Sequence, residues 1–229
     1  MPKKIVQKKK LKTKNFLIVL VIALGLSFCV YLFLQVPIQN IVIQNTTYLK
    51  DDYILDLMDL SQEQKFWLID HHKMVKKLKK SIYIQDAKIH KKWKFLIEID
   101  IKENKALFYN QPDNQYYFGD HNATKESKFV QNQKIPRLIN YVPDKKFTKL
   151  IEAMSLVKED VLLKISDMEY QPNDYDKDRF LLYMDDGNMV YATLTKWKVI
   201  NHYHDVIKQL ENHKGILYLD NGNHFEIKE

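Results

Sequence analysis

The sequence predicts an α+β protein carried on a single N-terminal transmembrane helix: a strand-helix-helix-strand-strand unit comes first, then a mixed, strand-rich unit with helices. Three observations predict it. The stretch "FLIVLVIALGLSFCVYLFL", Phe16 to Leu34, runs nineteen residues without a charge. Between residues 36 and 110 the apolar pattern switches from period two to helical spacing and back. Beyond that, alternating segments recur up to "GILYLDNGNHFEIKE", Gly215 to Glu229.

At about 1.5 Å per residue the uncharged run reaches roughly 28 Å as a helix, the hydrocarbon thickness of a bilayer. A cleaved signal peptide is the rival reading. The run is longer than the usual apolar region of such peptides and ends in bulky Leu32-Phe33-Leu34, where small residues are needed. The net charge of +7 is local in origin. Residues 1 to 15 carry seven lysines (Lys3, Lys4, Lys8, Lys9, Lys10, Lys12, Lys14), and 36 less seven leaves 29 basic residues against 29 acidic ones elsewhere. A neutral body reads as neither a nucleic-acid binder nor a membrane-surface binder. Lysines before the span and none from Phe16 to Pro37 predict a cytoplasmic tail over 1–15, a transmembrane helix over 16–34, and export of the chain after Gln35. The single cysteine, Cys29, lies in the span, so the exported part folds on its hydrophobic core without disulfides.

In the first exported unit, "IQNIVIQN" alternates Ile41 and Ile43 with polar residues and reads as a strand. "KDDYILDLMDL" places Ile54, Leu57 and Met58 at helical spacing, and "DHHKMVKKLKKS" offers Asp70 as N-cap with Met74, Val75 and Leu78 as its stripe. "IYIQDAKIHKKW" and "KFLIEIDIKEN" read as strands, the second alternating Phe95, Ile97, Ile99 and Ile101 against polar neighbours. Pro112 and the polar residues between Tyr109 and Gln115 predict a boundary there, giving units over 36–110 and 115–229. In the second unit "DKKFTKLIEAMSLV" reads as a helix capped at Asp144, and "VLLKISDMEY" as a strand. "RFLLYMDDGNMVYATL" is a hairpin turning at Asp185-Asp186-Gly187-Asn188. "KWKVINHYHDVIKQLENHK" sets Val199, Tyr203, Val206, Ile207 and Leu210 on one helical face with Gly215 as terminator, and Asn221-Gly222 predicts a type I′ hairpin turn.

Chemistry-bearing patterns are absent. Five glycines, one of them in the span, form no phosphate cradle, no serine sits in a nucleophile elbow, and the cysteine is in the bilayer. Adjacent His71 and His72 should point apart on a helix; His202 with Asp205 has metal-ligand spacing, though surface histidines are the simpler reading. Asp51-Asp52 suits a helix start and Asp185-Asp186 a turn, and the lysines from Lys73 to Lys80, which could touch anionic lipid or wall polymer, read more simply as a solvated helix face. The reading is therefore no catalytic residues, no metal, no cofactor, no nucleic acid and no small-molecule substrate.

The basic tail, single span, strand-helix-helix-strand-strand unit and strand-rich second unit, in that order, resemble the FtsQ/DivIB family of bacterial cell-division proteins. "IQNIVIQNTTYLKDDYILDLMDL" resembles the opening strand and helix of their POTRA domain, with Asn45 near the family's frequent Gly-Asn, and "SIYIQDAKIHKKWKFLIEIDIKENKALFY" its closing hairpin. "QYYF", "KIPRLIN", the "DDG" hairpin, the following helix and "GILYLDNGNHF" keep to the order of the family's β domain, although the glycine common after "YYF" is missing at Asn122-Ala123. The resemblance implies a non-enzymatic scaffold at the division septum that binds two small bitopic partners, FtsB/DivIC-like and FtsL-like, and helps control septal peptidoglycan synthesis. A membrane-anchored cell-wall-modifying hydrolase is the alternative.

The final segment has two readings: an ordinary sheet edge blunted by Glu226, Lys228 and Glu229, or a template for a partner strand. The resemblance favours the second, because the C-terminal part of that family's β domain is where an FtsB/DivIC-like partner adds a strand. The implied partner-binding residues are Gly215, Ile216, Leu217, Tyr218, Leu219, Asp220, Phe225 and Ile227, with Tyr218 and Phe225 as anchors.

Overall fold

An apolar helix leads into two sheets. The computed structural model describes residues 13–130, 133–210 and 213–228. Helix α1 (Thr13–Leu34) is apolar on every face from Phe16 on, exposes its side chains except where Phe33 meets Trp67 and Phe95, and is long and apolar enough to cross a membrane. Of the expected cytoplasmic tail, residues 1–12 lie outside the described residues. Directly after α1 the chain is pinned down: the Phe66 N–H donates to the Val36 carbonyl and the Ile38 N–H to the Gln64 carbonyl, both at 3.0 Å.

The first unit contains β1 (Asn40–Gln44), α2 (Asp51–Met58), α3 (His71–Leu78), β2 (Ile84–Lys92) and β3 (Leu96–Glu103). Its sheet runs β1-β3-β2, with β1 parallel and β2 antiparallel to β3. The period-two pattern is realised: Ile97, Ile99 and Ile101 are buried and meet Ile54, Met58 and Leu78 from the helices. Asp70 caps α3 by accepting the Lys73 N–H at 3.1 Å. The lysines of α3 form the expected solvated face, with Lys77 paired to Asp59 and Lys79 to Asp86. Asn45 has φ of +63°, a conformation that glycine and asparagine tolerate best. Its amide donates to Asp100 at 2.8 Å. One oxygen of Glu103 accepts three consecutive backbone N–H groups, from Thr47, Tyr48 and Leu49, at 2.9, 2.9 and 2.8 Å. That carboxylate ties the end of β3 to the loop entering α2.

Among the described residues the second sheet has nine strands: β4 (Ala106–Asn110), β5 (Gln115–Phe118), β6 (Ala123–Thr124), β7 (Arg137–Leu138), β8 (Ile165–Tyr170), β9 (Arg179–Met184), β10 (Met189–Thr193), β11 (Gly215–Tyr218) and β12 (His224–Ile227). Their spatial order is β12-β11-β10-β9-β8-β7-β4-β5-β6. Helices α4 (Asp144–Met154), α5 (Glu159–Leu162) and α6 (Tyr203–Gln209) complete the unit. The core joins Leu150, Met154 and Val161 to Phe180, Leu182, Val190 and Leu217 from the sheet, with Trp197, Ile200 and Tyr203 from the crossover.

Several elements differ from the sequence expectation. Residues 111–114 are the turn of the β4–β5 hairpin, so the polar stretch at 110–115 lies within the large sheet, and the two sheets part at Asn104-Lys105. Pro143 precedes the first turn of α4 and makes no side-chain cap, while Asp144 supplies first-turn negative charge. The crossover after β10 is not one α-helix: Leu194–His202 is 3-10 helix and only Tyr203–Gln209 is α. Gly215 opens β11 and terminates no helix. A Cβ there would lie 2.0 Å from the Glu226 carbonyl oxygen, so glycine is required by the close approach of β12.

Candidate functional site: the terminal sheet edge

Strand β11 runs parallel to β10 and antiparallel to β12. A parallel pair needs a crossover, which the 3-10 segment and α6 supply. Burial alternates through Gly215, Leu217 and Leu219, which face the core, while Ile216, Tyr218 and Asp220 turn to the opposite face. The hairpin turn is wider than Asn221-Gly222 predicts. Leu219 stays buried and its N–H donates to the Tyr191 carbonyl at 2.8 Å, which carries β11 onward along β10. The chain therefore reverses over residues 219–223, and positive φ falls on Gly222 (+85°) and Asn223 (+49°).

On the outward face the side chains form a stacked row. The Arg179 guanidinium carbon lies 3.4 Å from the Tyr191 ring centre; the Tyr191 and Tyr218 rings stack at 5.3 Å, and Tyr218 stacks on His224 at 4.5 Å. Arg179 Nε donates to Asp220 at 2.7 Å in a largely buried ion pair. The Tyr218 hydroxyl donates to Glu226 at 2.9 Å, and that carboxylate holds the phenol above its usual pKa. Charge and stacking thus fix Tyr218 in place. Arg179, Tyr191 and His224 were not singled out from the sequence. The signal was there in the alternation Arg179, Leu181, Tyr183 and Met189, Tyr191, Thr193, but strand order was needed to join it to Tyr218.

The two expected anchors occupy opposite faces. Phe225 pairs with Leu217 and packs against the core, whereas Tyr218 pairs with His224 on the outer face. Ile227, opposite Gly215, is 55% exposed. Among the described residues strand β12 borders the sheet, paired with β11 alone. The Lys228 N–H donates to the Lys214 carbonyl at 2.8 Å, so in this antiparallel register residues 224, 226 and 228 bond inward. The N–H and C=O groups of Phe225 and Ile227 consequently point away from the sheet. Of the charges expected to blunt the edge, Glu226 is held by Tyr218, and residue 229 lies outside the described residues.

The temptations toward chemistry resolve structurally. Asp185 pairs with Lys134 at 2.6 Å, a hydrogen bond that holds its carboxyl below the usual range. Asp186 accepts the buried Tyr203 hydroxyl at 2.7 Å, and burial followed by that carboxylate raises the phenol. His202 and Asp205 approach to 3.8 Å. Among the described residues no group of three His, Cys, Asp or Glu side chains is placed to hold a metal. His71 and His72 do not point apart: their rings lie 4.1 Å from each other.

Residues 36–104 match the family described as POTRA domain, FtsQ-type. The chain is 29% identical over 231 residues to the cell division protein DivIB of Bacillus subtilis (strain 168), covering 97% of this chain and 88% of the relative. It is 29% identical over 160 residues to DivIB of Listeria monocytogenes, covering 65% of this chain and 57% of the relative. DivIB of Geobacillus kaustophilus is 22% identical over 231 residues, with 97% and 88% covered. The solved extracytoplasmic domain of DivIB from Geobacillus stearothermophilus aligns with a TM-score of 0.37 at 20% identity, over 48% of this chain and 96% of that one.

Proposed function

Because the chain belongs to the FtsQ/DivIB family of bacterial cell-division proteins, we propose that it is a single-pass, non-enzymatic scaffold of the septal division machinery. Its tail, residues 1–15, is cytoplasmic and the bulk of the chain lies outside the membrane, where it captures small bitopic partners of the FtsB/DivIC and FtsL kinds and so helps control septal peptidoglycan synthesis. The exported part comprises two units, and the strand pairing supports a junction at Asn104-Lys105.

The observation that carries the reading is the free side of β12. Phe225 and Ile227 offer two donors and two acceptors to an added strand, next to a pre-ordered aromatic row. Main-chain bonds would supply affinity, and Tyr218 with Ile227 would supply specificity. Nothing in the site favours the hydrolase alternative.

The test is capture of partners from detergent-solubilised membranes by the full chain. Ile227→Pro removes an outward N–H and no bond to β11, so it should abolish capture of a β-adding partner while leaving the fold intact. Deleting 222–229 should also abolish capture, with the first unit still folded. Wild-type capture by both variants would refute the assignment.

A further inference from the structure

A second surface lies where the chain leaves α1. The 3-10 turn Phe66–Leu68 and the turn Trp93–Phe95 between β2 and β3 sit side by side there, joined to the chain at Val36 and Gln39 by the Phe66 N–H and the Phe95 carbonyl, both at 3.0 Å. The Phe33 ring, in the last turn of α1, meets Trp67 at 5.1 Å and Phe95 at 6.0 Å. These contacts bind an apolar hollow to the membrane-side end of the unit. Trp93 is 89% exposed, Leu68 69% and Trp67 40%, a degree of apolar exposure that marks an interaction surface. Exposed Lys65, Lys92 and Lys94 accompany them. Lys94 and Phe95 have φ of +62° and +56°, two consecutive left-handed residues without a glycine. Such backbone strain recurs where a turn presents something.

We propose that this face docks on the outer leaflet of the bilayer that α1 crosses, with Trp93 and Leu68 entering the interfacial zone and Lys65 and Lys94 meeting anionic phospholipid headgroups. The inference rests on the reading of α1 as a membrane span. The occupant follows from position: Val36 lies two residues beyond α1 and is bonded directly to the Phe66–Leu68 turn, so the patch cannot be far from the headgroups. Tryptophan with lysine is the pairing that membrane–water interfaces favour. Basic residues are attracted to an anionic surface, and three aromatic or aliphatic side chains add apolar burial. A unit held in this way has its orientation fixed at two points, the span and the patch.

The test uses the full chain in vesicles of phosphatidylcholine with and without phosphatidylglycerol, carrying lipid brominated on the acyl chains. The emission of Trp93, taken as the difference between wild type and Trp93→Phe, should fall about twofold on bromination when phosphatidylglycerol is present. Lys65→Glu with Lys94→Glu should remove most of that fall. An equal fall without anionic lipid would overturn the headgroup assignment. Cys29, the sole cysteine, reports the span separately through its reactivity to a membrane-impermeant maleimide. Unquenched Trp93 with Cys29 protected would overturn docking while the span stands; labelling of Cys29 would overturn the span and docking together.

Discussion

The backbone N–H of Gly215 donates to the side-chain oxygen of Asn188 at 2.9 Å, joining the β9–β10 turn to the start of β11 in the protein interior. Asn188 is almost fully buried, and its amide nitrogen also donates to Asp186 at 3.0 Å and to the Tyr203 hydroxyl at 3.2 Å. One side chain thus holds the turn, the crossover helix and the strand that supports the edge. Asn188→Ala leaves the buried Gly215 N–H without its acceptor and takes one hydrogen bond from Asp186 and one from Tyr203, which still bond each other, and should cost about 1–3 kcal/mol. Denaturant unfolding measures the loss, and hydrogen exchange should show it concentrated in residues 213–228.

Gly215→Ala should act locally. The added methyl would strike the Glu226 carbonyl and the Phe225 ring, both within 2.8 Å, so β12 must lift from β11. The expected cost is about 1–3 kcal/mol, with partner capture reduced and exchange protection of residues 40–103 unchanged. Retention of wild-type protection at β12 would count against the close approach.

Glu103→Gln should weaken the first unit alone. The carboxylate satisfies three N–H groups, and such charge-assisted bonds are about twice as strong as neutral ones, so the substitution should cost about 1–3 kcal/mol. The change belongs in the unfolding of the POTRA-type unit, with β8–β12 protection preserved.

Alkali should destabilise the protein from about pH 10, where free tyrosine ionises. Burial, partly offset by Thr124 and reinforced by Glu126, pushes Tyr83 up to about 12, and burial with Asp113 does the same for Tyr117. Raised folded values mean that the stabilisation is complete below the unfolded pKa and lost as pH rises through the folded one, here between about 10 and 12. Tyrosinate absorbance of these two groups should therefore appear together with unfolding. Half-ionisation of Tyr83 and Tyr117 near pH 10 in the folded protein would contradict the burial.

Much of the fold was legible because long elements carry their period in the sequence. Ile97, Ile99 and Ile101 alternate as a half-buried strand must, Asp70 sits at a cap, and Asp185 to Asn188 turn where turn chemistry predicts. The two-residue strands β6 and β7 are too short to hold a period. The crossover was misread because its buried residues, Trp197, Ile200 and Tyr203, recur every three positions, which a 3-10 helix places on one face, whereas the helical stripe begins at Val199. At the edge, the strands themselves were legible. Which ring faced outward depended on the pairing of Leu217 with Phe225, a register that no local pattern encodes.

The strand order of the large sheet bears on how the polypeptide is made. After β4, β5 and β6 form one flank, every later strand from β7 to β12 joins the opposite side of its predecessor in order of synthesis. A partly made chain therefore always shows the same growing border, with a different strand on it at each stage. Of the described strands β12 arrives last, and only its arrival sets the Tyr218–His224 stack and the outward backbone of Ile227 on that border. A nascent molecule that stops short of β12 carries an open edge but not this one, so recognition of β12 by a partner would also report that synthesis has passed β12.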